Sequence, residues 1–89
     1  MQISEFQRLI LEKYGNRDRQ RGTSATFMWF VEEVGELATV LAEDGDIGQK
    51  EGEFADVFAW LCTLANISGV DIAKACQDKY GGKGIAGYK

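Results

Sequence analysis

The chain has 89 residues, 45% of them apolar, and a net charge of −4. That length supports one domain with a modest core, and the apolar fraction excludes a disordered chain. The acidic balance argues against a general nucleic-acid binder, which shows a basic surface.

Ser4 with Gln7 three residues later reads as a capping box. Phe6, Leu9, Ile10 and Tyr14 then recur at helical spacing, and Gly15 with Asn16 stops this first helix. Asn16 to Gly22 contains no apolar residue and holds Arg17, Arg19 and Arg21, so it reads as a polar loop. Thr23 or Ser24 caps a second helix that runs to about Glu43. Its apolar positions, Phe27, Phe30, Val31, Val34, Leu37, Ala38 and Leu41, make a stripe wide enough for more than one neighbour. Gly35 falls inside it, where glycine costs roughly 1 kcal/mol relative to alanine; close approach of another helix is the expected reason. Asp44, Gly45, Asp46 and Gly48 form a turn. A third helix starts near Gln49 and reaches about Ser68, with Phe54, Val57, Phe58, Leu61, Leu64 and Ala65 as its core face. Gly69 closes it. Asp71 caps a fourth helix carrying Ile72, Ala73, Ala75, Cys76 and Tyr80. A glycine-rich tail follows from Gly81 to Lys89.

No segment alternates with a period of two, and the chain contains no proline to interrupt its helices. The expected fold is all-α: a bundle-like single domain of four helices over residues 1–80, plus the tail. The tight turn makes helices two and three an antiparallel pair. Cys62 and Cys76 lie in apolar helical patterns and read as small buried hydrophobes. With no histidine in the chain, they offer no zinc-site pattern. No signal peptide or membrane-length apolar run is visible; a cytoplasmic location with no membrane partner is expected.

The chemistry lies in two acidic clusters. Glu32, Glu33 and Glu36 form an E-E-x-x-E run, and Glu53 with Asp56 forms an E-x-x-D run. Residues three and four apart share a helix face, so antiparallel packing brings four or five carboxylates together. Acidic helix faces are ordinarily just solvated. Here, though, the acids are interleaved with the apolar stripes, and no Lys or Arg occurs between Thr23 and Gln49 to pair with them. Like charges at this spacing destabilise a helix. A divalent cation is the economical partner, and hard oxygen ligands suit Mg²⁺ or Mn²⁺.

From Phe27 to Tyr80 the sequence resembles the MazG-like all-alpha nucleotide pyrophosphohydrolases. The resemblance rests on Glu32-Glu33-Val34-Gly35-Glu36, on Glu53-Phe54-Ala55-Asp56, and on their flanks: Trp29-Phe30-Val31, Leu64-Ala65-Asn66 and Gly69-Val70-Asp71. It implies Mg²⁺-dependent hydrolysis of nucleoside triphosphates, NTP or dNTP, to monophosphate and pyrophosphate. It also implies Glu33, Glu36, Glu53 and Asp56 as metal ligands, with Glu32 joining them or positioning the attacking water. Members of the family carry a Lys, then an Asn and an Arg, near the end of the last helix to hold phosphates. Lys79 fits the Lys, but Tyr80, Gly81, Gly82, Lys83 and Gly84 stand where the others are expected, leaving Lys83 as a substitute point charge. Arg21, with Arg17 and Arg19, either reaches the triphosphate or solvates a loop, the commoner role of loop charge. Trp29 and Trp60 either stack a base or pack in the core or against a subunit, as aromatics at helical spacing usually do. Four consecutive large apolar residues, Phe27 to Phe30, exceed what one small chain can bury, which predicts a homodimer or homotetramer. The other readings are a related substrate (dUTP, dCTP or phosphoribosyl-ATP) and a non-catalytic, metal-binding dimerisation or regulatory module.

Overall fold

The computed structural model describes residues 1–82, and among these it contains four helices and no strand. Helix α1 spans Ile3–Arg21, α2 Thr23–Ala42, α3 Ile47–Ser68 and α4 Ile72–Tyr80. The expected all-helical architecture is what the structure shows. Of the expected tail, residues 83–89 lie outside the described residues.

The largest departure is α1, which runs through Gly15 and Asn16 to Arg21, where the sequence reads as a loop. Side chains within the polar stretch hold it in helical form. Asn16 Oδ1 accepts from Arg19 at 2.8 Å, and Arg21 pairs with Asp18 at 3.1 Å one turn away. Asp18 is itself buried, at 3% exposure, so this end of α1 is part of the packing. Gly22 makes the real stop. Its φ of 84° lies in the region that favours glycine, and its N–H donates to Asp18 O at 3.0 Å. Gly22 also occupies the position before α2, so Thr23 is the first helical residue and not the cap. At the other end, Glu5 rather than Gln7 completes the start of α1, accepting from the Gln2 N–H at 3.0 Å.

The α2–α3 turn is closed by Gly45 N–H donating to Val40 O at 2.9 Å. Asp46 then caps α3. Its carboxylate accepts from Gln49 N–H at 2.9 Å, and Gln49 Oε1 accepts from Asp46 N–H at 3.0 Å. Helix α3 therefore starts at Ile47, two residues before the expected Gln49. Gly69, with φ 71°, ends α3 in the left-handed conformation, and Val70 N–H donates to Ala65 O at 2.8 Å. Asp71 caps α4 by accepting from Lys74 N–H, and α4 leaves α3 at 94°.

Helices α2 and α3 make the most extensive contact, and α1 packs chiefly against α3. The α2–α3 pairing is antiparallel: Trp29 stacks on Trp60, Glu33 meets Asp56, and Glu36 bears on Glu53. Phe6 stacks on Phe58 at 5.7 Å to join α1 to α3. Gln7 ties three segments together. Its amide donates to Asn66 Oδ1 at 2.9 Å and Val70 O at 2.7 Å, and its carbonyl accepts from Ile72 N–H at 3.0 Å.

The core is smaller than the apolar pattern predicts. Ile10, Cys62 and Ala65 are its buried apolar members. Phe54 and Leu61, expected on the core face of α3, are exposed, as are Phe27, Val31, Val34 and Leu41 on α2. Cys62 is buried as expected, and burial pushes its thiol above the ordinary range. Cys76 is exposed, and short α4 buries none of its residues fully. Nothing lies within 4 Å of where a Gly35 Cβ would stand, so the close helix approach expected there is absent among the described residues.

Candidate metal centre and adjoining cleft

Two helices supply the acidic cluster, α2 from one side and α3 from the other. Glu33, Glu53 and Asp56 offer carboxylate oxygens that all lie within 4.8 Å of one another. Glu36 stands beside them. Burial raises Glu33 from its ordinary 4.5 to about 7, helped by the charge of Glu36, a hydrogen bond to Glu36, and the charges of Asp56 and Glu53. The direction fits a protonated Glu33 donating to Glu36. Burial likewise raises Glu53, followed by the charges of Glu36 and Asp56.

Two observations show that these groups fit a cation. Glu33 Oε2 and Glu53 Oε2 are buried and have no hydrogen-bond partner among the described residues. The ion pairs of the described residues, Arg21–Asp18, Lys50–Asp44 and Lys74–Asp78, lie elsewhere. Buried acceptors are normally satisfied. Crowded carboxylates that raise the proton affinity of Glu33 and Glu53 are placed to bind something positive. An all-oxygen donor set matches a hard divalent ion such as Mg²⁺ or Mn²⁺.

Of the residues singled out in the sequence, the structure groups Glu33, Glu53 and Asp56 and sets Glu36 against them. Glu32 is exposed and outside the trio. Trp29 and Trp60 stack on each other, with centroids 6.3 Å apart and planes 16° from parallel. Both line a cleft of about 490 Å³, together with Tyr14, Arg17, Asp18 and Arg21 from α1. The Arg21 guanidinium lies over the Trp60 ring at 4.9 Å and donates to Thr26 Oγ1 at 3.2 Å. Lys79 is exposed on the last turn of α4, 5.5 Å from the Tyr80 ring, and does not line the cleft. Lys83 lies outside the described residues.

Tyr14 and Asp18 were not among the expected site residues, and Arg17 was expected only beside Arg21 in a loop. A signal for them was present: positions 14, 17, 18 and 21 have helical spacing and continue the face that begins with Gln7 and Ile10. It is written in polar residues, which a hydropathy pattern does not register.

No single helix among the described residues is long and apolar enough to cross a membrane. Comparison with curated proteins finds no match to the chain. The family model for the MazG nucleotide pyrophosphohydrolase domain matches residues 21–81, a span holding both acidic motifs and both tryptophans, and the chain belongs to that family.

Proposed function

We propose that the protein hydrolyses nucleoside triphosphates to the monophosphate and pyrophosphate in a divalent-metal-dependent reaction, and so serves upkeep of the nucleotide pool. The observation that carries this reading is the Glu33–Glu53–Asp56 trio with its two unsatisfied buried oxygens, found in a domain of this family. Glu33, Glu53 and Asp56 are the proposed ligands, with Glu36 the fourth. The ion, when bound, neutralises phosphate charge and orients the α-phosphorus for in-line attack. The chain contributes acidic groups on both sides of that centre. Glu32 faces solvent on the same turn as Glu33, outside the ligand trio, and is the proposed group to take a proton from the attacking water.

The working unit is proposed to be a symmetric dimer or a tetramer. Phe27, Met28 and Val31 on α2 and Phe54 on α3 are each more than half exposed, a larger apolar surface than a small monomer carries. A cytoplasmic setting agrees with the exposed, unpaired Cys76.

The test is pyrophosphate release from a panel of NTPs and dNTPs with Mg²⁺, with EDTA, and with the Glu36→Gln and Asp56→Asn variants. Release that needs Mg²⁺ and is lost in both folded variants supports the proposal. Release that persists in EDTA, or in Asp56→Asn, overturns the assignment of the centre.

A further inference from the structure

The cleft beside the carboxylates holds a feature that the metal centre does not use. Asp18 is buried, lines the cleft, and pairs with Arg21 through Oδ1 only. Its Oδ2 is buried with no hydrogen-bond partner among the described residues. A buried acceptor left unpaired is costly, so its natural complement is an N–H donor. Three of the lining residues, Tyr14, Trp29 and Trp60, are aromatic, and aromatic faces stack planar rings.

The Arg21 guanidinium shows what the cleft favours. It is a flat group that lies over Trp60 at 4.9 Å and donates to Asp18 at 3.1 Å. An amino-bearing heteroaromatic ring has the same two properties. The Arg21 side chain is 24% exposed and lines the same cleft as Asp18. Position links the cleft to the metal centre. Trp29 precedes Glu33 by four residues on α2, and Trp60 follows Asp56 by four on α3. Each tryptophan thus stands one helical turn, about 5.4 Å, from a carboxylate of the trio.

We infer that this cleft receives the nucleobase of the substrate and that Asp18 selects bases carrying an exocyclic amino group, adenine, cytosine and guanine, over uracil and thymine. The inference rests on the nucleotide-hydrolase reading for the identity of the ligand. A carboxylate accepts cleanly from an amino group. The N–H of uracil or thymine is flanked by two carbonyl oxygens that repel the same carboxylate. A purely apolar occupant, such as a helix of a second copy, would leave Oδ2 unsatisfied.

The test separates the cleft from catalysis by using nucleosides, which carry no phosphate, in EDTA. The chain's two tryptophans both line the cleft, so their fluorescence reports on it. Adenosine, cytidine and guanosine are expected to quench it saturably, and uridine and thymidine to bind at least about fivefold more weakly. N6,N6-dimethyladenosine, which lacks the amino protons, is expected to lose the same factor. Asp18→Asn is expected to level cytidine and uridine. The dimethyl analogue tests the same contact without altering the protein, should that variant fold poorly. Quenching by no nucleoside, or equal affinity for cytidine and uridine in the wild type, overturns the inference. Base-selective quenching without pyrophosphate release would instead uphold the cleft and overturn the hydrolase reading.

Discussion

Replacing Glu33 with Gln gives the sharpest physical test of the acidic centre, because the expected sign is opposite to that of most buried substitutions. In the metal-free protein Glu33 titrates near 7 instead of 4.5, chiefly through burial and the neighbouring Glu36. Below about pH 4.5 it is protonated in both the folded and the unfolded chain and costs nothing. Between 4.5 and about 7 the unfolded chain releases its proton first, so stability falls as pH rises, and above 7 the loss is complete. The full shift corresponds to about 3 kcal/mol; solvent screening of a partly exposed side chain reduces this to about 1 kcal/mol. A glutamine at this position would mimic the neutral acid and keep a donor for Glu36. In EDTA at pH 8, E33Q should therefore melt higher than wild type by about 4–8 °C, the shift expected per kcal/mol in a domain of this size, and the gap should close near pH 4.5. Mg²⁺ should reverse the order, since a ligand at 100 times its Kd stabilises by about 2.7 kcal/mol and the variant offers a neutral amide in place of a charged carboxylate. Thermal melts by circular dichroism at the two pH values, with EDTA and with MgCl₂, measure all four quantities. A variant that melts lower than wild type in EDTA at pH 8 would show that Glu33 carries no unfavourable charge there, and one that gains as much from Mg²⁺ would show that Glu33 is no ligand.

The remaining predictions concern the frame around the site. Gln7→Ala removes three side-chain hydrogen bonds and leaves Asn66, Val70 and Ile72 short of partners; urea unfolding should show a loss of about 2–4 kcal/mol. Gly69→Ala forces a side chain into the left-handed turn at φ 71° and should cost about 1 kcal/mol by the same assay. Phe27→Glu together with Phe54→Glu places charge on the exposed apolar faces of α2 and α3; light scattering should show a dimer or tetramer for wild type and a smaller species for the double variant, and a monomeric wild type would contradict the proposed assembly.

Much of this molecule is legible in its residues, and the failures have physical causes. Helices α2, α3 and α4 announce themselves by apolar periodicity, with Gly69 closing α3 and Asp71 capping α4 as expected, whereas Gly22 and not Thr23 precedes α2. The grouping of Glu33, Glu53 and Asp56 follows from helical spacing plus one tight turn. The second half of α1 is hidden because its buried face is polar. Asp18 and Arg21 hold each other there, and Gly15 with Asn16 imitates a stop. That misreading conceals the cleft, since Arg17, Asp18 and Arg21 reach it from this stretch of α1. Phe54 and Leu61 mislead in another way. An apolar helix face has one pattern whether its own chain or a second one covers it.

The central claim is tested most directly by identifying the products formed when the purified wild-type protein meets each NTP and dNTP in Mg²⁺. Nucleoside monophosphate and pyrophosphate in equal amounts, with none formed in EDTA, is the predicted result. Nucleoside diphosphate and orthophosphate, or no hydrolysis of any nucleotide by folded, Mg²⁺-bound protein, would contradict it.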